Sequence, residues 1–145
     1  MIDLSHAQAA DRIAKLLATA ESRTLDFKRI SDKHKKIIET VCAFANSEGG
    51  LLALGVGDAK DLRAREKPHS RLWGVEENPE GFDDLRRLLL QRLTPALPRL
   101  HWLRLPCTLR DGQPGHVVLL RVEKSDQVHS VVGNGTWTRM DASNR

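Results

Sequence analysis

The run from Glu39 to Asp58 leaves few folds open. It begins inside a helical pattern in which Ile37, Val41, Phe44 and Ala45 make one apolar stripe, with Ile38 and Cys42 beside it. The segment Asn46-Ser47-Glu48-Gly49-Gly50 stops that helix, because glycine accepts the left-handed backbone that a helix end needs. Leu51 to Val56 is then almost continuously apolar, as in a strand covered on both faces. Gly55 and Gly57 allow a close approach of the backbone to another element or a ligand. A helix that turns straight into a doubly covered strand calls for an α/β fold, with helices packed on a mixed β-sheet.

The flanking segments fit that plan. Residues 6 to 20 have helical spacing, with Ser5 as cap and Ala9, Ile13, Leu16 and Leu17 on one stripe. Thr24 to Lys28 alternates and predicts a half-buried strand: Leu25 and Phe27 point inward, Asp26 and Lys28 share the polar face. Ser31 caps the helix that follows, on which Lys35, Lys36 and Glu39 lie toward solvent. Residues 59 to 72 read as an exposed loop and Leu72 to Val75 as a short strand. Phe82 to Leu93 is an amphipathic helix, ended by Pro95 and Pro98. His101 to Leu109 and Val117 to Val122 read as strands joined at Asp111-Gly112. Ser130 to Val132 and Thr136 to Met140 predict a last hairpin around Gly133-Asn134-Gly135. We read residues 1–145 as one domain, with room for it to be the N-terminal part of a longer protein.

With 145 residues, 40% of them hydrophobic, the chain can bury a core without disulfides. Cys42 reads as a small buried hydrophobe, and the two cysteines offer no zinc spacing. Neither a membrane-spanning run nor a signal-peptide pattern is visible, so the expectation is a cytoplasmic protein with no membrane contact. The net charge is +4, and its placement matters more than its size. Lys28, Arg29, Lys33, Lys35 and Lys36 meet only Asp32 locally, and a second run holds Lys60, Arg63, Arg65, Lys67 and Arg71. Such runs are often solvated faces, but clustered cations also supply most nonspecific affinity for nucleic acid.

Glu21, Asp26 and Asp58 stand with Lys28 at the ends of expected neighbouring strands. Three carboxylates of that kind suit magnesium or manganese, which activates water and offsets charge in phosphodiester hydrolysis. Lys28 would hold the scissile phosphate. The plainer alternative stays open: Glu21 as a helix-end acid, Asp26 paired with Lys28, and Asp58 as a turn former. Gly55-Val56-Gly57-Asp58 lacks the third glycine, the Gly-Lys-Ser/Thr and the following helix of a phosphate loop, so ATP is not expected. Trp73, Trp102 and Trp137 are read as packing aromatics before base-stacking ones. His129 is expected to make a structural hydrogen bond.

Three blocks then carry a family resemblance: Glu21-Ser22-Arg23-Thr24-Leu25-Asp26-Phe27-Lys28; Val41 to Gly50 with Gly55-Val56-Gly57-Asp58; and Val122-Glu123-Lys124-Ser125 with His129 and Trp137-Thr138-Arg139. The sequence resembles the AlbA-like domain of the Schlafen family over about residues 8–145. The resemblance implies a mixed α/β nucleic-acid-binding domain, RNA favoured over DNA. In some members it implies a metal-dependent endoribonuclease acting on structured RNA such as tRNA. The acids of that site fall on Glu21, Asp26 and Asp58, and its lysine on Lys28. Two positions depart from the pattern: Asp26 replaces a glutamate, and Asp141 stands near the expected closing glycine. The nuclease members also have two lobes and a zinc site. This sequence offers one lobe and too few cysteines for the zinc; a homodimer could supply the second lobe. The expected nucleic-acid surface is Lys28, Arg29, Lys33, Lys35, Lys36, Arg63, Arg65 and Arg139. A non-catalytic regulatory or dimerisation module is the third reading.

Overall fold

The computed structural model describes residues 2–97 and 99–145. Helix α1 (His6–Leu17) starts at Ser5, whose side chain accepts from the Gln8 backbone while the Gln8 side chain accepts from Ser5 in return. That reciprocal cap satisfies two otherwise orphaned donors. Strand β2 (Leu25–Lys28), helix α2 (His34–Ala45) and strand β3 (Gly50–Leu54) form a crossover unit in which β2 and β3 are parallel neighbours. Helix α3 (Pro79–Gln91) starts three residues before the expected Phe82, with Asn78 accepting from Gly81 and Pro79 in the first turn. Pro79 is suited to that turn, because the N–H it lacks would have had no helical partner.

Strands β5 (Leu100–Thr108) and β6 (Pro114–Val122) form an antiparallel hairpin. β6 also pairs with β3, and the two-residue β1 (Ile2–Asp3) runs parallel to β5 at the edge. The sheet order is β1-β5-β6-β3-β2. One face packs α2 and α3 through Ile37, Val41, Phe44, Leu85 and Leu89 onto Leu52, Leu54 and Leu120. The other packs Ala9 and Ile13 of α1 with Leu25, Phe27, Ala53, Leu105 and Leu119. β3 therefore alternates between two cores, which is why its sequence is apolar without a break. No described helix is long and apolar enough to cross a membrane.

The last third departs from expectation. β7 (Ser130–Val131) pairs with β4 (Leu93–Thr94), and β8 (Arg139–Met140) pairs with β9 (Ser143–Asn144) across a turn holding Asp141 at φ 52°. The expected hairpin reduces to one bridge, Val131 to Gly135. Residues after it give their backbone groups to tertiary partners instead: Arg139 N donates to Ser47 Oγ and the Trp137 carbonyl accepts from Asn46. Of the expected strand at Leu72 to Val75, only Leu72 pairs, with Val56, before the chain enters a 3-10 turn. Pro98, expected to help end α3, lies outside the described residues.

The helix stop carries a prediction. Gly49 has φ +79°, and a Cβ there would lie 2.7 Å from the Val122 carbonyl oxygen and 2.9 Å from the Lys124 nitrogen. Both obstacles are backbone and cannot move aside. Gly49→Ala is expected to destabilise the fold by about 2–3 kcal/mol, from left-handed strain plus the clash. Urea unfolding checks this; an unchanged midpoint with an unchanged slope would refute it.

Candidate nucleic-acid interface

Because β2 and β3 are parallel, both deliver their C-terminal ends to one edge of the sheet, where ligands bind in many α/β proteins. Lys28 and Arg29 leave β2 there, and Gly57 and Asp58 follow β3. The start of α2 adds Lys33 and Lys36, three apart and so on one helix face. Lys28, Arg29, Lys33, Lys36, Asp58 and Glu21 line one cavity of about 420 Å³. Asp32 and Asp61 line it too, so cations and acids are balanced there four to four while Glu21 is ionised.

Glu21 is half-buried, and its Oε2 accepts from the Phe27 backbone at 2.9 Å. Burial, then the neighbouring Asp26 carboxyl, push its pKa up to about 7, against the pull of the Phe27 N–H and the Lys28 charge. The folded state thus holds a proton on Glu21 that the unfolded chain has released. Below about pH 4.5 both states are protonated. Between there and about 7 the native state binds more protons, so this group's contribution to stability falls as pH rises. Glu21→Gln, which keeps an acceptor for Phe27, is expected to raise the melting temperature at pH 8 and to leave it near wild type at pH 4. Equal shifts at both pH values in thermal melts would overturn this.

Asp26 does not reach the cavity. It is 2% exposed, and its Oδ1 accepts from Arg139 Nη2 at 3.1 Å. Lys28 Nζ lies 2.7 Å from Oδ2, so a cation faces each of the two carboxylate oxygens. The half-buried strand is thus corrected: β2 is covered on both faces, because the C-terminal segment folds over the side read as polar. Arg139 is corrected with it. It is not a surface cation but a buried clamp, donating to the carbonyls of Ser22 and Leu25 as well as to Asp26. Glu39, expected toward solvent, is 2% exposed and accepts from Asn134 Nδ2 at 2.7 Å.

Asp58 caps the 3-10 turn at Ala59–Asp61, its Oδ1 accepting from Lys60 N at 3.0 Å, while also lining the cavity. Glu21 and Asp58 are thereby brought together and Asp26 is set behind them. Among the described residues no three carboxylates, imidazoles or thiolates converge as metal ligands. Asp26 is the discordant member. Arg139 takes one of its oxygens, and the Lys28 ammonium stands where a cation would approach the other. The three acids, with the side chains as they stand, do not fit a magnesium or manganese ion.

The remaining expected cations divide. Lys35, one residue from Lys36 and so turned about 100° around the helix, faces a separate hollow with Leu88 and Val132. Arg63 lines a second cavity adjoining the first, and Arg65 is exposed outside both. Arg71, Trp73 and Arg110 complete the second cavity and were missed as site residues. Arg71 lies in a basic run that looks exposed throughout, yet it is 3% exposed. No local signal distinguishes it. His129 is fully buried, with its ring nitrogens on the Pro95 carbonyl and Ser125 Oγ, as a structural histidine should be.

No curated protein matches the sequence. The chain is similar to the DIP2311 protein of Corynebacterium diphtheriae, with 19% identity and a TM-score of 0.59, a likeness that bears on fold alone. The match covers 96% of this chain and 30% of that one, so the chain spans under a third of that protein's length. It is also similar to the N-terminal domain of a RecG-related protein from Nitrosomonas europaea, named for an ATP-dependent DNA helicase. That match has 27% identity and a TM-score of 0.57, and covers 94% of this chain and 91% of that one. The family model described as Schlafen, AlbA_2 matches residues 21–145, and the chain belongs to that family.

Proposed function

We propose that this is a nucleic-acid-binding domain whose phosphate-contacting floor is the cavity at the carboxyl ends of β2 and β3. The observation that carries the reading is the convergence of Lys28, Arg29, Lys33 and Lys36 on that cavity. The family and the RecG-related neighbour support a nucleic-acid role. RNA is favoured over DNA on the family likeness. Protonation of Glu21 below about pH 7 removes one acid from the cavity and strengthens its pull on phosphate. The test is fluorescence anisotropy with single-stranded RNA, tRNA and duplex DNA. Affinity is expected to fall steeply between about 50 and 200 mM salt, as counterion release requires. Binding indifferent to salt would reject a phosphate-directed surface, and tighter binding of duplex DNA would reverse the preference. The reading takes the domain as cytoplasmic and a homodimer as the source of any second lobe; sedimentation at micromolar concentration tests the dimer.

One observation favours a second reading, cleavage of the bound RNA. Glu21, with its pKa near 7, shares the cavity with Lys28 and Asp58, and a group so tuned can exchange protons at neutral pH. Incubation of tRNA with the protein and manganese or magnesium tests it. Cleavage that survives both Glu21→Gln and Asp58→Asn would assign the activity elsewhere.

A further inference from the structure

The second cavity, about 340 Å³, is at the small end of ligand sites and is built around an unusual stack. The Arg29 guanidinium carbon lies 3.5 Å from the Trp73 ring centroid, and that of Arg110 lies 4.0 Å from it. Two guanidinium groups that close to one centroid cannot share a face, so the indole is sandwiched between cations. No base can stack on Trp73 while both remain. The tryptophan holds two planar donors at the cavity wall and adds cation–π attraction to each. Arg29 is further fixed by a two-point pairing with Glu77.

Arg71 closes the wall from behind. Its Nε donates to the Gly57 carbonyl at 2.9 Å and its Nη1 to the Leu17 carbonyl at 3.2 Å. Its Nη2 is buried and has no acceptor among the described residues. The guanidinium also lies over the Phe27 ring, 4.6 Å from its centroid, so Arg71 holds the wall in place and leaves ligand contact to the other cations. Arg63 supplies a fourth cation at the rim. Asp58, Asp61 and Glu66 are present as well, so the lining carries an excess of one positive charge, too small to hold an anion by charge alone. What the cavity offers instead is the guanidinium donors not already engaged: Nη1 of Arg29, whose Nε and Nη2 are held by Glu77, and the forks of Arg63 and of Arg110, the latter 3.8 Å from Glu66, which can match phosphate oxygens in pairs.

Resting on the nucleic-acid reading above, we propose that this cavity receives a phosphate monoester, the terminal phosphate of a strand whose body lies across the adjoining lysine cavity. The two cavities share Arg29, Asp58 and Asp61, so a strand can run from one into the other. A monoester carries more charge and one more free oxygen than an internal diester, and several converging donors discriminate in its favour.

The experiment compares one short RNA in three forms, with a 5′-phosphate, with a 3′-phosphate and with neither, alongside a free mononucleotide. One phosphorylated form is expected to bind at least about tenfold tighter than the unphosphorylated strand, and which one identifies the end. The mononucleotide should compete only weakly if the strand is the source; competition as strong as the strand's would make a free nucleotide the ligand. In Arg110→Ala, whose side chain does not line the lysine cavity, the preference for the phosphorylated form should be lost while binding of unphosphorylated RNA stays close to wild type. Equal binding of all three forms would overturn the proposal and leave the nucleic-acid reading standing. No binding of any form at low salt would instead remove that reading itself.

Discussion

Arg139→Ala is expected to lower the melting temperature by about 10 °C. The side chain is almost wholly buried and donates to the carbonyls of Ser22 and Leu25 and to Asp26 Oδ1. Within its own hairpin, Nη1 donates to Asn144 Oδ1 at 2.9 Å. Removing the side chain leaves a buried carboxylate and two carbonyls without their donor. Breaking a buried ion pair costs about 3–5 kcal/mol, and about 2–4 °C per kcal/mol applies at this chain length. Lys28, still beside Asp26, softens the loss. Arg139→Lys is expected to recover little, since a single ammonium cannot reach acceptors spread around a planar fork. Adding Asp26→Asn to Arg139→Ala should restore part of the stability by removing the stranded charge. If Arg139→Ala melted within a degree or two of wild type, the clamp would be an incidental contact.

Lys33→Glu/Lys36→Glu is expected to weaken RNA binding by at least about tenfold at low salt. Both side chains are exposed on one face of α2 and line the same cavity, so reversing them replaces attraction with repulsion where phosphates would lie. The loss of two phosphate contacts should also make the salt dependence shallower by about 1.4, at about 0.7 per contact on a single strand. Lys35→Glu and Arg65→Glu are the comparators: the charge change is of the same kind, but neither side chain lines that cavity. Anisotropy across a salt series separates the cases. Comparator variants as damaging as the α2 pair would show that net charge, not this cavity, governs binding.

Much of the fold is legible in the sequence. The α2 stripe, the glycine stop and the doubly covered β3 follow from local pattern, because each residue's burial is set by its own helix or strand period. The β2–α2–β3 pattern also puts Lys28 and Asp58 at one sheet edge. The two-residue strands β1, β4 and β9 are not legible, since a period cannot be read from so short a segment. Arg139, Glu39 and Arg71 are misread for one shared reason. Each is charged and has no local mark of burial, yet each is covered by a segment far away in sequence.

The amino-acid order by itself determined the family, through motif blocks that resemble it, and also the mixed sheet and the edge where cations and acids gather, because short-range periodicity and glycine geometry suffice for the last two. Tertiary structure alone decided which acids face that edge. The C-terminal segment folds across β2, carries Arg139 onto Asp26 and takes that carboxylate out of the cavity, leaving Glu21 and Asp58 facing it. A contact between residues so far apart in the chain has no local signature, and here it sets the chemistry of the site.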